Sequence, residues 1–262
     1  MEWLRDAELG APDQFDTTWS DAAKAAVEKA VERHGGWAAW LANPVLKVET
    51  RSFTGGLASI KGCGKTFALP LSIVAPRKNQ ITFPEFPEKG RRAFYRSGRI
   101  KIADKATGAI VEQIDDHRSS FIGLQKQRRW NNTDIMYFIG NGLPLYLGVP
   151  FALSASQLVD HRIVRRGGAP VSRLTVDWPS DLETHSRRQS FEFASDGLFL
   201  RMEYTAEIVG SFPRAVHVAT KWREVAGLLL GTRRVARPLA FGRPFGPRLA
   251  ELDLKIEDAA RA

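Results

Sequence analysis

The stretch RRWNNTDIMYFIGNGLPLYLGVPFAL, residues 128–153, carries an aspartate, asparagines and two tyrosines inside an otherwise apolar run. Set on a helix over 131–147, Asp134, Tyr137 and Asn141 share one face, with Trp130 just before it and Phe138 beside them. Ile135, Ile139, Gly142 and Tyr146 make the opposite side. Apolar walls with a few convergent polar groups describe a small-molecule site. In an enzyme, Asp134 or His117 would be the base, Tyr137 the acid and an arginine the anion clamp. A bland reading stands beside this one. Asp134 caps the helix and Asn141 ends it, the common use of both residue types. Either way a carboxylate on an apolar face is costly to bury unless it is hydrogen-bonded. Asp115, Asp116, His117 and Arg118 precede the segment; they place an acid, a base and a cation at a pocket mouth, or they are solvated loop charges.

The second candidate is GTRRVARPLAFGRPFGPR, residues 231–248, which holds Arg233, Arg234, Arg237, Arg243 and Arg248 and no acid. Its Gly and Pro residues predict a loop or edge, where arginine heads reach a phosphate or carboxylate bidentately. The chain as a whole carries a net charge of +9, which raises nucleic acid, anionic membrane surfaces and acidic ligands as partners. Nucleic acid is the weakest of these, since no RRM, KH or helix-turn-helix pattern accompanies the charge. The expected ligand-binding set is Trp130, Phe138, Asn141 and Tyr146, with Arg118, Arg233 and Arg234 for an acidic group.

One stretch imitates a known site. GGLASIKGCGKTF resembles a phosphate-binding loop, but Ser59 stands where the motif needs glycine, and a strand-like FALPLSIV follows where a helix should open. Cys63, the only cysteine, lies in this turn with no histidine near it in sequence, and reads as a bystander. It excludes an internal disulfide. The histidines His34, His117, His161, His185 and His217 fall at no metal-binding spacing. No metal or other cofactor is expected.

Positioning these groups falls to a β-rich chain. Ser20 caps a helix over residues 20–42 that Gly35-Gly36 interrupts and Asn43-Pro44 ends. From Val45 the apolar period becomes two, and roughly a dozen strands follow, mostly joined by short turns, with Asp196-Gly197 the clearest hairpin signal. No linker divides them. The expectation is an N-terminal extension over 1–19 and one domain over 20–262: a mainly β (α+β) fold, a large curled antiparallel sheet or open half-barrel, with the 20–42 and 131–147 helices covering its concave face.

Over roughly residues 30 to 258 the chain resembles bacterial proteins related to the LolA/LolB-like lipoprotein carriers. HGGWAAW, WNNTDIMYFIGNGLPLYLGVPF, FEFASDGLFLRMEYT and AVHVATKWREVAGLLLGTRRV carry the resemblance. It implies a half-closed antiparallel barrel whose helices cover a hydrophobic cavity for acyl chains or a similar ligand. Those carriers are exported, whereas MEWLRDAELG lacks a signal-peptide pattern, so a cytosolic location is expected. No stretch approaches the roughly 20 apolar residues of a membrane-spanning helix. The leading expectation is binding of a hydrophobic or amphipathic, anionic or lipid-like small molecule. A cofactor-independent cyclase, isomerase or dehydratase in the same cavity is the alternative.

Overall fold

A computed structural model describes residues 8–42, 45–62, 69–210 and 214–259. Cys63, the Asn43-Pro44 pair and the start of FALPLSIVA lie outside the described residues. Two helices open the fold, α1 (Asp21–Arg33) and α2 (Gly36–Leu41). The Ser20 hydroxyl accepts from the Ala23 N–H, and Ala23, Val27, Ala30 and Val31 make the buried stripe of α1. Gly35 and Gly36 separate the two helices at positive φ. A Cβ on Gly35 would stand 2.1 Å from the Gly227 carbonyl oxygen, so only glycine fits there.

The strands are β1 (Leu46–Thr54), β2 (Ser72–Ala75), β3 (Gln80–Phe83), β4 (Arg91–Arg96), β5 (Arg99–Asp104) and β6 (Ile110–Ile114), then β7 (Gln157–Arg166), β8 (Ala169–Asp177), β9 (Arg188–Ala194), β10 (Phe199–Thr205), β11 (Arg214–Val225), β12 (Leu228–Ala240), β13 (Arg243–Pro244) and β14 (Ala250–Asp258). They form one antiparallel sheet in the order β6-β5-β4-β3-β2-β1-β14-β12-β11-β10-β9-β8-β7, with β13 a short hairpin partner of β12. The mainly β expectation holds, and the sheet does not close into a barrel.

The order explains the apolar segment in mid-sequence. Strands β1–β6 and β7–β12 are two up-and-down meanders, and β14 pairs with β1 on one side and β12 on the other. Two further helices lie between strands: α3 (Gly56–Ile60), which the sequence reading missed, and α4 (Asn132–Gly148). Helix α4 connects the meanders and packs on one sheet face against β2, β3 and β4. Most of its length is buried because sheet and connecting segments surround it, which is why apolar residues run all round it. Gly140 serves this packing, since a Cβ there would stand 2.3 Å from the Tyr95 ring. On the opposite sheet face Arg173, Arg166 and Arg201 surround Glu192, and Arg173 and Arg201 also hold Glu203. Burial opposes ionisation of Glu192, and these arginines overcome it, holding its pKa at about 2.

Candidate functional site

Helix α4 presents two faces with different chemistry. At its start Asn131 and Asp134 form a capping box: the Asn131 side chain accepts from the Asp134 N–H at 2.9 Å, and the Asp134 carboxylate accepts from the Asn131 N–H at 2.9 Å. The same carboxylate, 0% exposed, accepts from His117 Nε2 at 2.9 Å and from both terminal nitrogens of Arg128. Burial alone would raise its pKa; these bonds reverse that and hold it below the ordinary value. Four hydrogen bonds fill the carboxylate, so no lone pair is left for a substrate proton.

Tyr137, one turn on, donates to Glu183 at 2.7 Å, and Arg118 spans Glu183, Glu207 and the Thr184 carbonyl. Burial, then Glu183, pushes the Tyr137 phenol well above its ordinary pKa. Asn141 accepts from the Tyr95 hydroxyl at 2.6 Å. A polar cleft opens over this face, lined among others by Asp115, Asp116, His117 and Arg118.

The apolar cavity lies on the other face. Phe138, Ile139, Gly142, Leu143 and Tyr146 of α4 form one wall, and Phe53, Leu252 and Leu254 belong to the sheet wall. It spans about 530 Å³ of space between atoms, its mouth included, of which about 40 Å³ would admit the centre of a water molecule. Nearly all its lining is carbon. Apart from Thr50 of β1, the polar lining residues form a cluster: His185 Nε2 lies 2.9 Å from the Tyr146 hydroxyl, which lies 3.2 Å from that of Tyr204. Gly142 makes room for them, since a Cβ there would stand 2.8 Å from His185 Nε2.

His217 completes the cluster, edge-on to the Tyr146 ring at 4.3 Å. It is 2% exposed, and among the described residues neither ring nitrogen has a hydrogen-bond partner; His185 Nδ1 has none there either. Burial, then the Arg118 charge, lowers the His185 pKa to about 3. Burial, Arg234 and His185 hold His217 well below the ordinary value. Both imidazoles are therefore neutral at pH 7, each with one N–H donor and one acceptor nitrogen. Behind Tyr146 lies Arg234, 2% exposed, its guanidinium 5.2 Å from that ring and donating to the Tyr146 carbonyl. Its Nε has no partner, and no carboxylate pairs with it among the described residues. Burial lowers its pKa to about 10, so it stays cationic. A buried cation without an acid and two imidazoles with idle nitrogens are an unsatisfied set.

The structure sorts the residues singled out from the sequence accordingly. Phe138 and Tyr146 line the apolar cavity, with the Trp130 ring 4.9 Å from that of Phe138 and tilted 41° to it. Asp134, Tyr137, His117, Arg118 and Asn141 belong to the polar face. Arg233 and Arg234, adjacent in β12, point to opposite sheet faces, and Arg233 pairs with Glu251. His217 and Tyr204 were missed. Strand alternation could have turned His217 inward with Ala215 and Ala219. His185 sits in the segment between β8 and β9, where no periodic signal exists.

No protein-family model and no curated protein matches the sequence. Solved structures do resemble it. A DUF1329 family protein from Desulfovibrio piger shares 14% identity over 93% of this chain and 95% of that one, with a TM-score of 0.50. A LolA superfamily protein from Nitrosomonas europaea shares 12% identity over 89% and 92%, with a TM-score of 0.49. A domain described as an outer membrane lipoprotein-sorting protein, from Vibrio parahaemolyticus, shares 11% over 91% and 92%, at 0.49. The expected resemblance to LolA-like proteins is thereby found at the level of structure. The cytosolic expectation is corrected: it rested on where the sequence begins, which carries no weight on location, and one of the solved structures that the chain resembles is described as an outer membrane lipoprotein-sorting protein domain. What the likeness establishes is the architecture, a LolA-like open antiparallel sheet with helices on one face.

Proposed function

We propose that the protein binds an amphipathic, acyl-chain-bearing molecule with an acidic head in the cavity between α4 and the sheet. The chain lies along Phe53, Phe138, Leu143, Leu252 and Leu254; the head meets the His185–His217–Tyr146 cluster under the field of Arg234. The observation that carries this reading is His217, buried with both ring nitrogens idle in an otherwise carbon-lined cavity. Leaving such groups unsatisfied costs about 1–3 kcal/mol each, and a ligand head supplies the missing bonds. The slot is narrow, which suits a single extended chain better than a ring system. The LolA-like neighbours, one of them described as lipoprotein-sorting, support a carrier or binding role in general.

The test is titration of a fluorescent fatty-acid analogue with displacement by unlabelled amphiphiles, alongside mass spectrometry of an organic extract of the purified protein. His217→Leu should weaken the acidic probe about tenfold, one hydrogen bond to a charged group being worth about 1.5–3 kcal/mol, and leave an uncharged alcohol of the same chain length less affected. Equal affinity of parent and variant for the acidic probe, or no saturable binding, refutes the proposal.

A further inference from the structure

The runs of sequence without acids converge on one rim of the molecule. No Asp or Glu occurs between Glu49 and Glu85, between Asp116 and Asp134, or between Glu224 and Glu251. The fold joins parts of these three runs directly. Gly56 and Leu57 of α3 donate to the carbonyls of Arg248 and Leu249 at 3.0 and 2.9 Å, and Trp130 donates to the Lys61 carbonyl at 3.0 Å. Helix α3 therefore lies beside residues 248–249, which follow the β12–β13 hairpin, and its C-terminal end lies beside Trp130, the last residue of the 122–130 segment. They adjoin the apolar cavity, whose wall takes Phe53, Leu69, Ala236 and Ala250 from the same runs.

This rim also exposes carbon. Phe241 is fully exposed, Leu124 is 89% exposed, and Ile60, Ile122 and Phe245 are more than half exposed. Phe241 is the most telling. Ala240 pairs with Arg243, so Phe241 and Gly242 alone make the hairpin turn, at φ 49° and 73°. Such turns favour Asn, Asp or Gly at positive φ, and a bulky side chain there is strained. Neither packing nor turn geometry accounts for a phenylalanine at this tip. Exposed arginines stand among these side chains: Arg243 in the hairpin and Arg129 beside α3, with Arg237 donating only to the Gly246 carbonyl.

Exposed aromatic and aliphatic side chains interleaved with cations, beside an acid, Glu251, that Arg233 and Arg248 already hold, fit the interface of an anionic bilayer, where rings sit at headgroup level and arginines meet lipid phosphates. We propose that this rim docks on anionic lipid bilayers, with Phe241 and Phe245 inserting and Arg237, Arg243 and Arg129 holding headgroup phosphates. A membrane docked there lies next to the cavity mouth, although docking requires no cavity ligand.

Flotation with phosphatidylcholine vesicles, with and without phosphatidylglycerol, tests this. The parent should float with the anionic vesicles, far less with the neutral ones, and lose most binding at about 0.5 M salt. The pair Phe241→Ser, Phe245→Ser and the pair Arg237→Gln, Arg243→Gln should each weaken binding about tenfold or more, with unfolding midpoint and fatty-acid-probe affinity unchanged. Three results would overturn it: no flotation of the parent, flotation unchanged in both variants, or parent self-association in sedimentation that the phenylalanine variant abolishes, which would make the rim a contact between copies.

Discussion

The two ends of α4 bury polar groups to opposite effect. At the first turn Asp134 meets His117, Arg128 and the Asn131 N–H, and every acceptor site is filled. At the last turn Tyr146 stands against His217, whose nitrogens are idle, and Arg234, which has no acid. Both ends bury polar groups beside aromatic rings, and both hold charge. Satisfaction separates them: a completed network stabilises a fold, while an incomplete one, kept despite its cost, is where a ligand can complete it.

Acid separates the two ends most strongly. His34 (pKa about 4), His185 (about 3) and His217 are buried neutral, with folded values below the unfolded 6.5. The unfolded chain therefore binds more protons between about pH 6.5 and 4, and stability falls as pH falls through that window, at up to about 1.4 kcal/mol per pH unit for each histidine. Asp134 has the usual carboxylate sign: its lowered pKa gives stability that is present above the unfolded value near 4 and is lost below it. Urea midpoints against pH should decline already from pH 6, and His185→Gln with His217→Gln should flatten that decline down to about pH 3, leaving the loss that comes from protonating Asp134. A profile flat from pH 7 to 4.5 would show that the histidines are not buried neutral.

Removing the saturated carboxylate comes next. Asp134→Ala strands His117 and Arg128 and removes half the capping box, for a loss of about 2–4 kcal/mol, discounted because Arg128 is partly exposed. Asp134→Asn should recover part of this, since an amide can still accept at the cap. If Asp134 were a catalytic base instead, the Asn variant would lose turnover with little change in its urea midpoint.

The smallest effects contrast neighbours in β12. Arg234→Met removes a cation that lacks an acid, so stability should change by no more than about 1 kcal/mol, while affinity for an acidic probe drops about tenfold. Arg233→Ala breaks an exposed pair with Glu251 and should change stability by less than about 1 kcal/mol and probe affinity not at all. Equal effects of the two on binding would mean that strand direction does not decide which arginine the ligand senses.

Sequence alone determined the elements whose cause is local. Ser20 is a cap because its short side chain reaches an N–H three residues on; Asp196-Gly197 turns the chain because left-handed backbone is open to glycine; and the period of two after Val45 marks strands because alternate side chains face one core. The start of α4 was legible only as a choice among Asn131, Asn132, Thr133 and Asp134, of which the structure makes Asn131 the cap. The acid-free runs were likewise legible as charge. Tertiary structure decided the rest, because a polar side chain's role depends on partners distant in sequence. Asp134 became a saturated anchor only when the chain before α4 brought His117 and Arg128 to it. Arg233 and Arg234 parted because β12 lies between β11 and β14 with one face covered, and the cavity formed on the Tyr146 side of α4 because β10, β11, β12 and β14 close over that side. Composition cannot tell which buried nitrogen will find no partner; Trp130 and Asn141 each leave one so, and among the described residues His217 leaves both of its own.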